Sequence, residues 1–318
     1  MKKVNYLLAK QIMAAVLSGG MMLLPNWGYA LPQGGQIVGG NGNISTPDSG
    51  KLNISGSGNL AIDWNSFNIA QGEAVNFQKM SEVLNVLNYV TGSSRSEIFG
   101  KITGNGVNVF LINPNGILFG ATAEVNVGSL YASTRSLDAA ARSGFDGSMT
   151  VLGTDSIAKV EKDIINLGTV VADSITFEGN NIAIVSADKL QIKDRDYGKI
   201  ALKAKTDINI GYEVTKITVN DLGDNKSHEV GDYATGNGTK ASTLGMQATD
   251  LAGSAKSVQD YMLVNDVYEL QAMKNNLKGK YMLAKEIDAS ATKDWNSGSG
   301  FKQLHGFKGT LDGLENSI

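Results

Sequence analysis

Two apolar runs flank a four-residue turn in the first half of the chain. The stretch at 109–120 reads VFLINPNGILFG, and its centre is Asn113, Pro114, Asn115 and Gly116. Proline presets φ at the first central position of a turn, and Asn or Gly accepts a positive φ at low cost. The flanks are apolar at nearly every position, which is typical of strands buried on both faces. Such a unit needs a stacked neighbour on either side, so the pattern predicts a solenoid.

Apolar residues in alternate positions recur as pairs between residues 160 and 220. Each pair predicts the inward dyad of one short strand, and three such strands make a coil of roughly 25 residues. The pairs are Ile175/Phe177, Ile182/Ile184, Leu190/Ile192, Ile200/Leu202, Ile208/Ile210 and Ile217/Val219. A β-sandwich has similar strand spacing. The turns here are short and variable and lack a hairpin-type Asn-Gly, which favours the β-helix.

Other segments carry weaker patterns. Val83–Val90 fits either a short helix or a strand, and the segment at 132–141 predicts a short helix capped by Ser136. Asp266 predicts the cap of another helix over 267–277, followed by strands and turns of a further coil.

The polar segments complete the organisation of the chain. Residues 221–258 are rich in Gly, Ser, Thr and Asp, which predicts a polar linker or a loose coil. The chain stops at Ile318, where a further strand is expected and no polar cap is visible, so we expect a fragment of a longer protein.

The N-terminus predicts a secretory signal peptide over residues 1–30. Lys2, Lys3 and Lys10 form a basic segment, and an uncharged apolar run at 12–24 follows it. Small residues precede a cleavage site between Ala30 and Leu31. The apolar run is too short for a stop-transfer helix, although a membrane anchor stays as the alternative.

The net charge limits the classes of partner that the chain can bind, and the cysteine content bears on its export. Removal of the three signal lysines leaves 25 basic and 31 acidic residues, a net charge of −6, which argues against nucleic acid. The chain has no cysteine. This composition permits passage of an unfolded chain across a second membrane, because no disulfide could block threading.

Several short motifs in the same order resemble the secretion domain of two-partner-secretion exoproteins, the filamentous-haemagglutinin family. The motifs lie at 34–40, 63–69, 75–77, 87–92, 96–100, 105–106, 113–116 and 132–134. Tyr89 stands where that family usually has Arg. A weaker resemblance, to the Gly- and Asp-rich repeats of bacterial surface adhesins, covers residues 268–318.

The resemblance implies an all-β fold, a right-handed parallel β-helix (solenoid) with an N-terminal cap. It also implies a route: Sec export, signal peptidase cleavage, and recognition in the periplasm by soluble domains of a dedicated outer-membrane β-barrel transporter. The protein is then expected outside a Gram-negative cell, secreted or at the cell surface, where an adhesin would meet a host-cell or surface receptor. We expect no cofactor and no catalysis.

Within this family resemblance, two sets of residues are candidate determinants of secretion. The secretion motif is Asn113, Pro114, Asn115 and Gly116, whose alternative role is simply a turn that the fold requires. The candidate transporter contacts are Asp63, Trp64, Phe67, Asn76 and Asn88. For Trp64 and Phe67, burial of at least one ring under the cap is the favoured interpretation, since large aromatics dominate core energetics.

Catalytic and metal chemistry find little support in the sequence. Asp194 and Asp196 are alternate residues that could act as a glycosidase pair, but their basic neighbours favour a solvated charged turn. His228 and His305 lie far apart without metal-ligand spacing, which favours exposed loop positions. A calcium turn at 221–225 is conceivable, but no repeated calcium-binding nonapeptide accompanies it.

The sequence therefore predicts a secreted exoprotein, an adhesin or haemagglutinin, in five segments. They are a signal peptide (1–30), a secretion domain (31–145), a β-helix continuation (146–220), the polar segment (221–258) and a truncated adhesin-like repeat region (259–318). Two alternatives stay open: a β-helical carbohydrate-active enzyme, and a stand-alone surface protein that binds haem or glycans.

Overall fold

The computed structural model describes residues 31–148, 159–193 and 198–318, which are dominated by β-strands. In chain order the strands are β1 Gln36–Asp48, β2 Lys51–Trp64, β3 Ala74–Val90, β4 Ser96–Ile98, β5 Lys101–Ile112, β6 Ile117–Phe119, β7 Glu124–Ser133, β8 Ile164–Asn166, β9 Thr169–Ala172, β10 Ser174–Gly179, β11 Ile182–Ile184, β12 Leu190–Ile192, β13 Lys199–Ala204, β14 Ile208–Tyr212, β15 Lys216–Asn220, β16 Ser227–Gly231, β17 Gln247–Thr249, β18 Gln259–Val264, β19 Lys280–Leu283 and β20 Thr310–Asp312. Three short α-helical segments are α1 Ala139–Ser143, α2 Val267–Ala272 and α3 Trp295–Gly298, the last with non-helical φ/ψ at Asn296 and Ser297.

The described residues divide into two compact units. The β-helix unit comprises residues 31–212 and 240–260, and the C-terminal unit comprises residues 213–239 and 261–318.

In the β-helix unit, strands from successive coils stack in parallel. One sheet has the order β1-β2-β3-β5-β7-β10-β13-β17, with β9 paired to β7 and β12 paired to β9. Another sheet includes the order β14-β11-β8-β6-β4. Only the β1–β2 pair is antiparallel within the described part of these sheets, and it closes the N-terminal end of the stack. The fold is a parallel β-helix with an N-terminal cap strand, as the sequence predicts.

The long strands each turn a corner between two faces of the coil. Residues 124–126 of β7 pair with β9, whereas residues 129–133 pair with β10. The register of β2 against β3 shifts between Gly56 and Gly58, where Gly58 has a φ of 67°. Glycine adopts this conformation without steric cost, so Gly-rich corners let one chain segment supply two faces.

The stacked apolar dyads confirm the predicted coil length. Ile175 of β10 pairs with Ile200 of β13, 25 residues further on, and Ile182 of β11 pairs with Ile208 of β14. These side chains and those of the neighbouring coils form one continuous core. Because each coil covers the apolar face of the one before, stability comes from contacts between neighbours along the stack.

The structure decides the local predictions for two segments. Of the two alternatives for 83–90, the strand is the one observed, as the end of β3. The short helix is Ala139–Ser143, capped by Asp138 rather than by Ser136. Asp138 Oδ1 accepts from the N–H of Ala141, a capping bond that the more N-terminal Ser136 does not make.

The last apolar pair and the polar segment also differ from expectation. Ile217 and Val219 lie in β15, which pairs antiparallel with β16 outside the β-helix, and Ile217 is 38% exposed. The segment 221–258, where the sequence predicts a linker or a loose coil, contains β16 and also β17, which extends the parallel sheet beside β13. Backbone pairing holds these strands together, and their side chains are mostly polar. A search for apolar residues in alternate positions therefore does not detect them.

The C-terminal unit contains the β15–β16 hairpin and the parallel strands β18, β19 and β20. Asp266 caps α2 as predicted, accepting from the N–H groups of Tyr268 and Glu269. The α-helix ends at Ala272 and continues as a 3-10 turn at Met273–Asn275, so it is shorter than the predicted 267–277. The core of the unit includes the buried rings of Tyr233, Tyr281 and Trp295.

Candidate functional site

The Asn113–Gly116 turn joins β5 to β6 at the edge of the coil. The Gly116 N–H donates to the Asn113 carbonyl oxygen at 3.1 Å, which closes the turn. Gly116 has a φ of 111°, so glycine, rather than Asn115, provides the positive φ that the sequence predicts for this turn. Asn113 and Gly116 are buried, and Pro114 and Asn115 are half-buried.

The side chains of the turn bind the preceding coil. Asn113 Nδ2 donates to the Ser94 carbonyl oxygen and to Ser96 Oγ, each at 3.0 Å. Asn115 Nδ2 donates to the Gly92 carbonyl oxygen at 2.8 Å, and its backbone N–H donates to Asn113 Oδ1 at 2.9 Å. The two asparagines therefore hold one coil edge against another through amide groups.

The following coil is attached through the backbone. The N–H of Ile117 donates to the Asp163 carbonyl oxygen at 3.2 Å, and the Gly116 carbonyl oxygen accepts from Ser96 on the other side at 3.0 Å. Asp163 Oδ1 in turn accepts from Asn180 and Asn181 of the next turn down the stack. The motif is thus one layer of a column of asparagine- and aspartate-containing turns.

The aromatic pair near the N-terminus is buried. Trp64 and Phe67 are each 1% exposed, and their rings meet edge to face at 5.7 Å. Trp64 Nε1 donates to Oδ1 of Asn88, which is fully buried. This burial confirms the favoured interpretation for Trp64 and Phe67, and it leaves none of Trp64, Phe67 and Asn88 exposed on the folded domain. Packing and hydrogen bonding inside the coil account for their presence in the motifs.

The other two candidate contacts lie at the surface. Asn76 belongs to an amide ladder, donating to Asn53 Oδ1 at 3.1 Å and accepting from Thr103 Oγ1 at 2.6 Å. The carboxylate of Asp63 accepts two hydrogen bonds from the Arg142 guanidinium, at 2.9 and 3.0 Å. Both side chains are only partly buried, so they remain candidates for recognition.

The segment that follows β7, residues 136–148, is called the strap here. Sequence reasoning predicted a short helix in it but missed its packing on the coil. Leu137 and Phe145 of the strap pack on side chains of β2, β3 and β5 that point away from the main core. Phe145 meets Phe110 edge to face at 5.1 Å, and the Arg142 guanidinium lies 4.5 Å from the centre of the Tyr89 ring. The strap therefore lies outside the coil and covers strands that precede it by up to 79 residues.

A buried ion pair anchors the chain just before the strap. Arg135 binds Glu178 of β10 through Nε at 2.8 Å and through Nη2 at 2.7 Å, and their side chains are 9% and 1% exposed. Tyr131 and Ser133 also donate to this carboxylate, at 2.9 Å each. Burial, with the Glu178 charge second, raises the pKa of the Tyr131 hydroxyl, so it stays a donor. No local sequence signal pairs residues 43 positions apart.

The histidines do not form a shared site. His228 lies in strand β16, where its ring stacks on Tyr268 at 3.6 Å and Nε2 lies 2.9 Å from Asp224, so the exposed-loop prediction was wrong for it. His305 is exposed. Within the described residues, no cluster of three or more His, Cys, Asp or Glu side chains suits a metal ion. Asp194 and Asp196 lie outside the described residues.

The proposed calcium turn makes internal hydrogen bonds instead. Asp221 Oδ1 accepts from the N–H groups of Gly223 and Asn225, and Asp224 is engaged by His228. The predicted signal and Ala30 fall outside the described residues, whereas Leu31 is buried in the main core. Among the described residues, no helix has the length and apolar character needed to cross a bilayer.

These features define a class of protein: a capped parallel β-helix whose coils are joined at their edges by asparagine-rich turns. The model of the TPS secretion domain family matches residues 31–280. The match covers most of the chain, which belongs to the TPS secretion domain family. Such a domain implies a partner outer-membrane transporter and places the chain among secreted or cell-surface exoproteins.

Curated proteins with related sequences match part of the chain. The chain is 39% identical over 114 residues to the Heme/hemopexin-binding protein of Haemophilus influenzae, covering 36% of this chain and 12% of that protein. It is 44% identical over 61 residues to Halomucin of Haloquadratum walsbyi, covering 18% of this chain and 1% of that protein. The chain thus spans only a small part of the curated relatives that it matches.

Among solved structures, the HMW1 secretion domain from Haemophilus influenzae is similar with a TM-score of 0.38 and 18% identity. This likeness covers 80% of the present chain and 72% of the HMW1 chain.

Proposed function

We propose that the β-helix unit directs export of this chain through a partner outer-membrane β-barrel transporter, whose periplasmic domains bind it. The observation that carries the proposal is the family match over residues 31–280, which includes the whole capped stack with its edge turns and extends to residue 280 of the C-terminal unit. In this scheme the Sec machinery delivers the chain to the periplasm, and signal peptidase cleaves between Ala30 and Leu31.

The Asn113–Gly116 turn serves export by holding the coil edges in place. Three side-chain hydrogen bonds to the preceding coil and two within the turn support this role, because a distorted turn would also displace the surface around it. Pro114 and Asn115, the half-buried members, are the part of the motif that a transporter domain would touch directly. Asp63 and Asn76 provide further polar groups at the surface.

The exported protein acts outside the cell as an adhesin or haemagglutinin that binds a host-cell or surface receptor. The adhesin-like repeat at 268–318 supports this proposal, since its strands β19 and β20 stack in parallel as the start of a coil would. A haem-binding exoprotein is the second candidate, supported by the relative named as a Heme/hemopexin-binding protein. We propose no enzymatic activity; the relatives above bear the names Heme/hemopexin-binding protein and Halomucin.

Folding outside the cell is proposed to bias translocation outward. Each completed coil offers a row of backbone groups and an apolar face to the next coil, so folding can propagate as the chain emerges.

Export of the whole chain, with and without the candidate transporter, tests the proposal. Immunoblots of medium, periplasm and cell lysate would quantify the chain, with a second periplasmic protein as a leakage control. Appearance in the medium only when the transporter is present is the expected result. Equal retention in the periplasm in both strains would contradict the proposal once the transporter is shown to export another substrate.

A further inference from the structure

The outward face of the first coils carries an apolar patch in a place where its neighbours are polar. The patch consists of Ala61, Leu87, Tyr89, Phe110 and Ile112, which form their own cluster apart from the main core. Their alignment follows the strand register, with Ala61 beside Leu87 and Leu87 beside Phe110. Because alternate residues of a strand point to opposite faces, these side chains would face solvent without a cover.

Beside the patch, a row of outward-facing residues runs across neighbouring strands. These residues are polar, as those on the outer face of an exposed sheet normally are. Asn85 Nδ2 donates to Asn59 Oδ1, Asn108 Nδ2 donates to Asn85 Oδ1, and Ser129 Oγ donates to Asn108 Oδ1, each at 2.7 Å. The polar residues thus face water on four strands, whereas the apolar patch beside them, on β2, β3 and β5, is buried. A contiguous apolar surface of this kind would mark an interaction site if it were uncovered.

The strap occupies the patch through a small number of contacts. All five residues of α1 are at least partly exposed, so the helix itself is lightly packed. The buried anchors are Leu137 and Phe145, with Arg142 between them. A segment held at a few points opens at low cost compared with the coils beneath it, which share a continuous core.

The strap also shows which chemistry the patch accepts. A guanidinium lies over the Tyr89 ring while it makes two hydrogen bonds to Asp63, and a large apolar side chain packs on each side of it. The Asp63 side chain is 18% exposed and needs a cation, since a partly buried carboxylate without a partner is costly. An occupant must therefore carry a basic residue flanked by two large apolar residues.

We propose that the strap is a displaceable lid, and that the patch beneath it binds a segment of this chemistry on the periplasmic domain of the partner transporter. The inference rests on the proposed function and deepens it, because it names the surface and how access to it is controlled. While the strap is open the domain engages the transporter, and closure over the patch releases it. The patch lies on β2, β3 and β5, which precede the strap in the chain, so it can form first. The proposal requires these first coils to be folded in the periplasm, whereas the later coils fold outside.

The test measures binding of the whole chain to the purified periplasmic domain of the transporter. The loosened variant combines Arg142→Ala with Phe145→Ala, and the matched control is Lys101→Ala, which breaks an exposed ion pair with Glu124 elsewhere on the coil. If the strap is closed in about 90% of molecules, opening it strengthens apparent binding up to about tenfold. The control is expected to bind like the unmodified chain.

A second measurement needs no substitution in the protein. A synthetic peptide of residues 136–148 is added to the unmodified chain and is expected to inhibit transporter binding, whereas the same peptide with Arg142→Glu is expected to have no effect. If circular dichroism shows that the loosened variant does not fold, the peptide competition alone tests the lid.

The outcomes separate the two proposals. If the unmodified chain binds and the folded, loosened variant binds with equal or lower affinity, or if the peptide does not compete, the lid is refuted while the export function stands. If the unmodified chain does not bind the transporter domain at all, the proposed function fails, and the lid fails with it.

Discussion

Asn113→Ala removes a buried amide that joins two coils of the β-helix. Its Nδ2 donates to the Ser94 carbonyl oxygen and to Ser96 Oγ, and its Oδ1 accepts from the backbone N–H of Asn115. Each hydrogen bond contributes about 1 kcal/mol, and a buried group left without its partner costs about 1–3 kcal/mol. We expect the variant to lose about 2–4 kcal/mol of unfolding free energy, because four hydrogen bonds go at once, including the one that Asn113 Oδ1 accepts from Asn115 Nδ2.

Urea denaturation of the whole chain, followed by tryptophan fluorescence and circular dichroism, measures this loss. With a slope of about 3 kcal/mol per molar urea, a loss of about 3 kcal/mol lowers the transition midpoint by about 1 M. Asn105→Ala is the matched control, since Asn105 is an exposed asparagine in a nearby corner of the same strand. Its midpoint is expected to move by less than about 0.2 M, as for most surface substitutions.

Export of the same variants separates a structural role from recognition. If the turn acts through stability, Asn113→Ala lowers both the urea midpoint and the amount exported. Asn115→Ala, which loses the bond to the Gly92 carbonyl oxygen, lowers both less. An unchanged midpoint for Asn113→Ala would refute the structural reasoning. Lost export with an unchanged midpoint for Asn115→Ala would instead show direct recognition.

Three further substitutions test other parts of the fold. Gly116→Ala places a Cβ at a φ of 111°, and we expect a loss of about 1–3 kcal/mol in urea denaturation. Glu178→Gln leaves the Arg135 guanidinium buried without its counter-charge and is expected to cost about 3–5 kcal/mol. A double change to apolar residues at both positions should recover much of that loss in thermal unfolding, and failure to do so would contradict the ion-pair account. Ile182→Asp buries a carboxylate in the core, and we expect it to lower the unfolding free energy by at least about 3 kcal/mol. It should also reduce export, as judged by immunoblot. Undiminished export would refute the idea that folding biases translocation.

The stacking of the β-helix was predictable from local patterns. Ile175 and Phe177 are two positions apart, and the same spacing at Ile200 and Leu202 matches their observed register. Alternation reports which residues face inward, because a strand places every second side chain on one face. The same pattern at Ile217 and Val219 was misleading, since an exposed hairpin strand alternates as well.

The candidate site was predicted in part. The positive φ at Gly116 follows from residue type, because glycine alone among the turn residues has no Cβ to clash. The sequence favoured burial of at least one of the rings of Trp64 and Phe67, whereas the burial of Asn88 could not be read from its motif. Motifs identify residues that a family needs, and both a packed core and a binding surface create such needs.

By itself the sequence determined the class of fold and the positions of the edge turns, since strand alternation, glycine corners and turn chemistry act over a few residues. Only the tertiary structure decided which distant residues meet. Arg142 reaches Asp63 across 79 positions, and Arg135 reaches Glu178 across 43. These contacts depend on the length of every intervening coil, which sets how strands stack and which outward columns come side by side. The strap and the patch beneath it therefore become visible only in the folded stack.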